Sequence, residues 1–288
     1  MTMSRSTAIR TVLFTVATVV GAGAHPPALS AAPGPYVAVG DSFTAGPGVL
    51  NQQLDQIGCF RSDQNYPHLV ARARGSALRD PSCSGAKTSD LTAPQVILGG
   101  ANPPQLNSLD AGVATISMQI GGNDIGFTEI LYRCTALLPL GAPCHAAYTA
   151  GGTDELSRRI AATAPKVAAA LAEARRRSPQ ARVFVLGSPA ILPEVGWGCW
   201  PALPIAPADV PYLRDKEKEL NAMLATQAAA AGATYVDVYT PSIGHDACQL
   251  PGVRWVEPLV PLSPAAPVHP NALGMRGMAT ALVAAMGG

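Results

Sequence analysis

The sequence predicts an α/β domain in which a parallel sheet is covered by helices on both faces. Five apolar runs rich in β-branched residues alternate with stretches of helical character. Such alternation favours a parallel sheet, because the return from one parallel strand to the next needs a crossover, usually a helix. The chain has 288 residues, of which 48% are hydrophobic and 14% are charged, so it can bury a large core.

The predicted strands are, in chain order, residues 36–40, 76–80, 113–120, 182–187 and 234–239. The predicted helices are residues 66–74, 125–134, 154–177 and 209–231, with a last helix starting near Pro270. Pro165 lies inside the third of these helices and predicts a kink there or a break into two helices, because proline removes a backbone hydrogen bond.

Residues 1–32 are typical of a secretory signal peptide. Arg5 and Arg10 form a basic start, residues 11–23 are apolar, and small residues follow. The apolar run is short for a membrane span, and an uncleaved amino-terminal anchor is the alternative interpretation. We therefore expect a secreted or cell-envelope protein with one domain over residues 33–288 and no membrane span after the signal is removed.

The charge balance excludes one class of partner. The chain has 20 Lys and Arg against 19 Asp and Glu. Binding to nucleic acid depends on a basic surface that attracts phosphates, and this composition supplies none. We expect a monomer with no nucleic-acid partner.

The six cysteines predict three disulfides, because an exported chain with an even number of cysteines is typically cross-linked. They are Cys59, Cys83, Cys134, Cys144, Cys199 and Cys248. Sequence alone leaves about 15 pairings open. If the first and second strands are neighbours, and also the fourth and fifth, then the pairs 59–83, 134–144 and 199–248 need the least backbone movement.

Four long loops follow predicted strands and predict where a ligand binds. Residues 43–65, 135–152, 188–208 and 240–268 are rich in Pro, Gly and Cys. Long loops in compact domains are usually functional, and open α/β sheets bind ligands beyond the carboxyl ends of their strands. All three Trp residues and two Leu-rich runs lie in these loops. They predict either a pocket for an acyl chain or ordinary packing beneath the disulfides.

Ser42 stands at the turn after the first strand, in Gly40-Asp41-Ser42. A serine there is either an exposed nucleophile or the cap of a turn. Three further polar blocks follow later in the chain: Cys83-Ser84-Gly85-Ala86, Gly121-Gly122-Asn123-Asp124 and Val268-His269-Pro270-Asn271. The first two of these follow the second and third strands.

In order and spacing the four blocks resemble the SGNH (GDSL-type) hydrolase family, in particular its secreted, three-disulfide lipase/esterase branch. The resemblance implies a three-layer α/β/α fold with the flavodoxin-like strand order 2-1-3-4-5. It also implies serine-dependent hydrolysis of esters or thioesters, with no metal or organic cofactor.

The resemblance assigns a role to each block. Ser42 is the nucleophile and His269 the general base, while the oxyanion hole is formed by the Ser42 and Gly85 backbone N–H groups and the Asn123 amide. A serine hydroxyl needs such a base, and three donors can hold an oxyanion. We expect Pro270 at the first helical position, so that the helix dipole keeps His269 neutral.

One position departs from the family pattern. The family places Asp three residues before the His, and here that residue is Ala266. We expect the Ala266 carbonyl to accept a hydrogen bond from His269 Nδ1, giving a Ser-His dyad. Nothing in the spacing of Asp237, Asp246 or Glu257 favours them as replacements. A degraded relative that binds but barely turns over is the alternative.

The sequence thus predicts a secreted serine esterase or lipase that hydrolyses carboxylic acyl esters through an acyl-Ser42 intermediate. Two alternatives remain open: an esterase that removes O-acetyl groups from polysaccharides, and a non-catalytic secreted binding protein on the same fold.

Overall fold

The structure, a computed structural model, describes residues 34–287 together with Met1 and Thr2. Residues 3–33 and residue 288 lie outside this description, and with them the predicted signal peptide of residues 1–32 and its boundary. No helix among the described residues is both long and apolar enough to cross a bilayer.

Five parallel strands form the central sheet and a separate antiparallel hairpin lies outside it. The strands are, in chain order, β1 (Tyr36–Gly40), β2 (Leu78–Arg79), β3 (Gln95–Ile97), β4 (Gly100–Asn102), β5 (Thr115–Gln119), β6 (Arg182–Leu186) and β7 (Thr234–Val236). The sheet has the order β2-β1-β5-β6-β7, and β3 pairs with β4. The predicted fold and its strand order are confirmed.

Seven α-helices are found in the described part of the chain. They are α1 (Ser42–Ala45), α2 (Tyr66–Arg74), α3 (Phe127–Arg133), α4 (Pro143–Thr149), α5 (Glu155–Arg177), α6 (Val210–Ala230) and α7 (Ala272–Ala285). Helices α5 and α6 pack together on one side, and α2 packs with α7 on the other.

Alternation along β1 assigns its side chains to the two helix layers. Val37 and Val39 belong to the core cluster shared with α5 and α6, while Tyr36 and Ala38 belong to the cluster shared with α2 and α7. Successive strand residues point to opposite faces, so a strand that is buried on both faces reads as a continuous apolar run. The continuous apolar run at residues 36–40 therefore predicted a strand that is buried on both faces.

Three local features differ from the expectations. The expected break at Pro165 is absent: α5 is one helix from Glu155 to Arg177. Because Pro165 has no N–H, the Ala161 carbonyl loses its helical hydrogen bond. Both residues are exposed, so water can hydrate this carbonyl. The hairpin β3–β4 and helix α4 were not predicted. The hairpin turns at Leu98 and Gly99, between the paired residues Ile97 and Gly100, and Gly99 has a positive φ.

Three disulfides connect the loops at the carboxyl edge of the sheet, and they have the pairing that strand adjacency favoured. The pairs are Cys59–Cys83, Cys134–Cys144 and Cys199–Cys248. Cys59 follows β1 and Cys83 follows β2, its neighbour in the sheet. Cys199 and Cys248 follow the neighbouring strands β6 and β7 in the same way.

We predict that the Cys199–Cys248 pair stabilises the fold more than the Cys134–Cys144 pair, because it closes the longer chain segment. The sequence separations are 49 and 10 residues. In the chain-entropy model, Cys199→Ala/Cys248→Ala lowers the free energy of unfolding by about 4 kcal/mol and Cys134→Ala/Cys144→Ala by about 3 kcal/mol. Urea unfolding of the two double variants measures both values. An unchanged midpoint for the first variant would contradict the prediction.

Candidate active site

The turn after β1 holds Ser42 in a fixed position. Asp41 is the N-cap of α1, and its carboxylate accepts the backbone N–H of Phe43 at 3.0 Å. Ser42 is the first residue of that short helix and is largely buried. The polypeptide therefore turns sharply at the sheet edge with the Ser42 side chain at the corner.

Gly40 is required at this turn for steric reasons. A Cβ atom there would collide with the Thr44 side chain and lie 2.6 Å from the Gln119 carbonyl oxygen. The buried amide of Gln105 accepts the Gly40 N–H at 2.8 Å and donates to its carbonyl at 2.9 Å. Sequence reasoning missed Gln105, because only the fold brings it next to Gly40, 65 residues away in the chain.

Ser42 and His269 meet directly. The Ser42 hydroxyl oxygen lies 2.8 Å from His269 Nε2, although the residues are 227 positions apart. The imidazole also lies against two phenylalanine rings, with centroid distances of 5.2 Å to Phe43 and 5.8 Å to Phe127. These rings restrict its orientation.

The other ring nitrogen of His269 contacts the Pro267 carbonyl, and the expectation for Ala266 is wrong. His269 Nδ1 lies 2.7 Å from the Pro267 oxygen, while the Ala266 carbonyl accepts the backbone N–H of His269 at 3.2 Å. The intervening Val268 has a φ of +58°, and this turn brings the Pro267 carbonyl back to the ring. Burial of the Val268 side chain against the loop core maintains a conformation that β-branched residues rarely adopt.

This contact decides the tautomer of His269. A carbonyl oxygen can only accept, so the Nδ1 atom carries the hydrogen and Nε2 has a free lone pair. The Ser42 hydroxyl can then donate to Nε2. A main-chain carbonyl thus orients the imidazole in the way a carboxylate does in a triad, without its charge.

The pKa of His269 lies below its ordinary value. Burial, which disfavours the imidazolium form, lowers this pKa, and the hydrogen bond to Pro267 opposes the shift. The expected position of Pro270 at the first helical residue is wrong, since α7 begins at Ala272 and Asn271 is its N-cap. His269 therefore lies two residues before the N-cap and outside the helix, and desolvation is the main cause of its lowered pKa.

The Gly85 and Asn123 blocks lie side by side. The Asn123 side-chain amide donates to the Ala86 carbonyl at 3.0 Å. Gly85 has a φ of +79°, and a Cβ atom there would meet only the Gln95 amide at 3.7 Å. The left-handed backbone, not crowding, therefore favours glycine at this position. Asn123 and Ser42 line one cavity.

Two aspartates beside these blocks have structural contacts. Asp124 accepts the Thr88 hydroxyl at 2.6 Å and the Thr88 N–H at 2.9 Å. Burial raises the pKa of Asp41 to about 7, although the bond from the Phe43 N–H favours the ionised form. Neither carboxylate is hydrogen-bonded to His269 in the described structure.

The remaining histidines have other partners. His68 contacts the Asn65 side chain, His145 lies against Tyr212, and His245 stacks on Trp255. His25 lies outside the described residues.

A fully buried carboxylate supports the loop that carries His269. Glu257 accepts the N–H groups of Leu262 at 2.9 Å and Ser263 at 3.2 Å, and the Asn271 side-chain amide at 2.7 Å. The buried Arg254 guanidinium lies 2.8 Å away. Burial alone would raise the pKa of Glu257, but the Asn271, Leu262 and Arg254 contacts together lower it.

Glu257 reaches His269 only through the main chain, its N–H donating to the His269 carbonyl at 3.0 Å. The carboxylate therefore positions the loop and does not contact the ring. The sequence did not indicate this role, because no regular spacing relates Glu257 to its partners, which lie both before and after it in the chain.

An apolar cavity of about 120 Å³ opens beside Ser42. Its walls come from the ends of the sheet, from α3 and from the inner sides of α5 and α6, including Ile120, Ile125, Leu131, Leu156, Leu213 and Leu220. None of the three Trp residues belongs to this lining, so an acyl pocket built from them is not found. Trp200 instead donates to the Ala136 carbonyl and Trp255 packs against Gly277.

Two carboxyl groups, those of Asp41 and Glu217, interrupt the apolar wall of the cavity. Burial raises the pKa of Glu217 to about 8. It accepts the Ile191 N–H at 3.2 Å. Within residues 1–2 and 34–287, no three His, Cys, Asp or Glu side chains are grouped as they would be around a metal ion.

The chain is similar in sequence to known lipases. It is 42% identical over 250 residues to Lipase 2 of Streptomyces coelicolor, covering 85% of this chain and 83% of that protein. It is 30% identical over 240 residues to a lipase of Streptomyces rimosus, covering 83% and 81%.

Two solved structures superimpose over most of the chain. The phospholipase A1 of Streptomyces albidoflavus NA297 has a TM-score of 0.72 and 26% identity, covering 88% of this chain and 99% of that one. The extracellular lipase of Streptomyces rimosus has a TM-score of 0.71 and 26% identity, with the same coverage.

A family profile matches residues 38–276, which include all four polar blocks described above. The profile and the relatives confirm the resemblance on which the sequence prediction was based. The chain belongs to the GDSL-like Lipase/Acylhydrolase family.

Proposed function

We propose that the protein is a secreted esterase or lipase that hydrolyses carboxylic acyl esters through an acyl-Ser42 intermediate. The observation that carries the proposal is the 2.8 Å contact between the Ser42 hydroxyl and His269 Nε2. A nucleophile and its base must lie within this reach for proton transfer. Family membership and relatives named lipase and esterase support the same chemistry.

The reaction begins when Ser42 Oγ attacks the ester carbonyl carbon and its proton passes to His269 Nε2. The carbonyl π electrons move onto oxygen and form the tetrahedral oxyanion. Collapse of this intermediate breaks the bond to the alcohol oxygen, which takes the proton from Nε2. Water then attacks the acyl-Ser42 ester by the same route, releasing the acid and restoring the Ser42 hydroxyl.

The oxyanion is held by the Ser42 N–H, the Gly85 N–H and the Asn123 amide. Asn123 uses one amide hydrogen on the Ala86 carbonyl, and an amide has two. Such a preorganised donor contributes about 3 kcal/mol to stabilising the transition state. The bond to Ala86 preorganises the amide before substrate binds.

The pair works as a dyad that the Pro267 carbonyl orients. Replacing the usual carboxylate by a neutral acceptor removes charge assistance from one hydrogen bond, which lowers the rate about tenfold. The tautomer remains correct, so the much larger loss of a misoriented imidazole does not arise.

The cavity beside Ser42 accepts the acyl chain. Its lining is almost wholly apolar, and a lipid acyl group is the substrate part that matches such a wall. Acetate would leave most of this surface uncovered, which argues against the polysaccharide deacetylase. The intact Ser42–His269 contact argues against a non-catalytic binding protein.

Secretion is part of the proposal. The amino-terminal pattern of residues 1–32, the three disulfides and the extracellular relative all support export, since disulfides persist in oxidising compartments.

Replacing Ser42 tests the proposed function directly. Ser42→Ala should lower kcat on p-nitrophenyl butyrate by at least about 10⁴-fold and abolish labelling by a fluorophosphonate. Ser188→Ala is the matched control, because Ser188 lines the same cavity and has no proposed role. Mass spectrometry of the labelled peptide locates the adduct. Unchanged turnover in Ser42→Ala would show that Ser42 is not the nucleophile.

The lowered pKa of His269 predicts activity that persists into mildly acidic solution. The base must be neutral, so kcat/KM falls as the pH drops through its pKa. Because burial places this pKa below 6.5, the fall should have its midpoint below pH 6.5. A pH-stat titration with a soluble ester measures it, and Pro267→Ala, which keeps the carbonyl, should give the same profile. A midpoint above 6.5 would contradict the assignment.

Glu257→Gln should both destabilise the protein and slow it. The change leaves the buried Arg254 without an anionic partner. It also replaces one of the two acceptor oxygens that the Leu262 and Ser263 N–H groups and the Asn271 amide use by an NH₂ group. Losing one partner of a buried ion pair lowers the free energy of unfolding by about 3–5 kcal/mol. We expect kcat to fall more than KM changes, because His269 is displaced.

The control for this variant is Asp110→Asn, which removes an exposed ion pair with Arg79. It should change stability by less than about 1 kcal/mol and leave kcat unaffected. Wild-type kcat in a folded Glu257→Gln protein would show that the carboxylate does not position the histidine.

Narrowing the cavity should change the preference for acyl length. We expect wild-type kcat/KM to rise at least about tenfold from acetate to octanoate, because each buried methylene contributes about 0.8 kcal/mol. Leu131→Trp, which narrows the cavity, should lower the octanoate value about tenfold and the acetate value little. The exposed neighbour provides the control Tyr132→Trp. Activity on acetate alone would instead support the deacetylase.

A further inference from the structure

Apart from Met1, the exposed large hydrophobic side chains of the described residues are confined to a few segments of the chain. Among the described residues after Thr2, every exposed large hydrophobic side chain lies in the segments 50–60, 96–98, 132–140, 195–200 and 243–262. The outer helices α2, α5, α6 and α7 carry none. Four of these segments lie in the connections that follow β1, β5, β6 and β7, and residues 96–98 lie in the β3–β4 hairpin. Ser42 itself directly follows the carboxyl end of β1. Monomeric proteins rarely expose contiguous apolar surface without a use for it.

The loops at residues 135–152, 188–208 and 240–268 form one structural unit. A buried cluster that includes Cys144, Leu192, Leu203, Val256 and Val268 lies beneath them. The unit is cross-linked by the Cys134–Cys144 and Cys199–Cys248 disulfides and by hydrogen bonds between residues 135–136 and 200–205. Its outward side chains are therefore held at fixed positions.

We define the apolar rim as six of the outward apolar side chains of this unit: Leu137, Leu138, Leu140, Val195, Trp197 and Val260. Leu137 is 90% exposed, Val260 70% and Trp197 67%. The inner sides of the same loops supply Cys134, Leu192 and Val268 to the wall of the cavity beside Ser42. The loops that carry the rim therefore also contribute to the wall of the cavity beside Ser42.

The charges of these loops decide what kind of surface fits the rim. Residues 135–152 contain no Asp, Glu, Lys or Arg, and residues 188–208 contain only Glu194. In residues 240–268 the charged side chains Asp246, Arg254 and Glu257 are all buried. The three loops therefore expose no Lys or Arg that would attract anionic headgroups.

We propose that the apolar rim docks the enzyme on the surface of neutral or zwitterionic lipid, so that ester substrates enter the cavity directly from the aggregate. Rigid apolar side chains with a tryptophan at their edge match the boundary between headgroups and acyl chains. This inference rests on the proposed hydrolysis of lipid esters, and it adds where and on what the protein binds.

The test measures partition onto phosphatidylcholine vesicles by co-sedimentation, with all proteins in the Ser42→Ala background so that no lipid is consumed. Leu137→Asp/Val260→Asp should weaken partition about tenfold or more, because it replaces two inserted apolar groups by charges. The matched control Ala162→Asp/Ala169→Asp adds the same charge on the exposed side of α5 and should partition like the parent. All variants share one amino terminus, so any contribution of residues 1–33 cancels.

The same substitutions with Ser42 restored separate this inference from the proposed function. Turnover of dissolved p-nitrophenyl butyrate should be equal in the rim variant, the control and the wild type. Absence of turnover in all three proteins would contradict the proposed hydrolysis. The partition experiment would still decide whether the rim binds lipid, because it does not depend on turnover. Equal partition of rim variant and parent would overturn the docking surface.

Two other outcomes also overturn the inference. Binding confined to phosphatidylserine vesicles and removed by 0.5 M salt would indicate an electrostatic attachment through other residues. A dimer that dissociates in the rim variant, detected by light scattering, would make the rim a contact between two copies of the chain.

Discussion

The contact between Ser42 and His269 is the constraint that the rest of the structure serves. Its 2.8 Å length depends on two supports that lie far apart in the chain. On one side, the close packing at Gly40 and the buried Gln105 amide fix the turn that presents the serine. On the other, Pro267 and Glu257 fix the loop that presents the histidine. Failure of either support would separate nucleophile and base while the sheet stayed folded.

The missing aspartate of the family pattern changes the electrostatics of the site more than its geometry. The Pro267 carbonyl is a neutral acceptor for the imidazole N–H, so the tautomer is fixed without a carboxylate beside the ring. The negative charge of this region is instead on Glu257. Arg254 forms an ion pair with this carboxylate, and the Asn271 side-chain amide donates a hydrogen bond to it. Burial then lowers the pKa of the imidazole, and no adjacent carboxylate opposes this shift.

The loops at the carboxyl edge have different roles on their two sides. Their inner sides build the apolar cavity and the buried cluster beneath it, and their outer sides carry exposed leucines, a valine and a tryptophan. Disulfides make this arrangement possible, since loops so poor in regular structure would otherwise lose too much entropy on ordering. The same rigidity keeps the cavity preformed for its ligand.

The sequence by itself determined the central strands and the long helices, because these strands are buried on both faces and read as continuous apolar runs. Its four polar blocks, through their family resemblance, also predicted a site containing Ser42, Gly85, Asn123 and His269. Only the tertiary structure assigned the Nδ1 partner to Pro267 instead of Ala266, because that choice depends on the unusual backbone of Val268. Gln105, Glu257 and the cavity lining were likewise invisible in the sequence, since their roles arise from contacts between segments that periodicity and spacing do not relate.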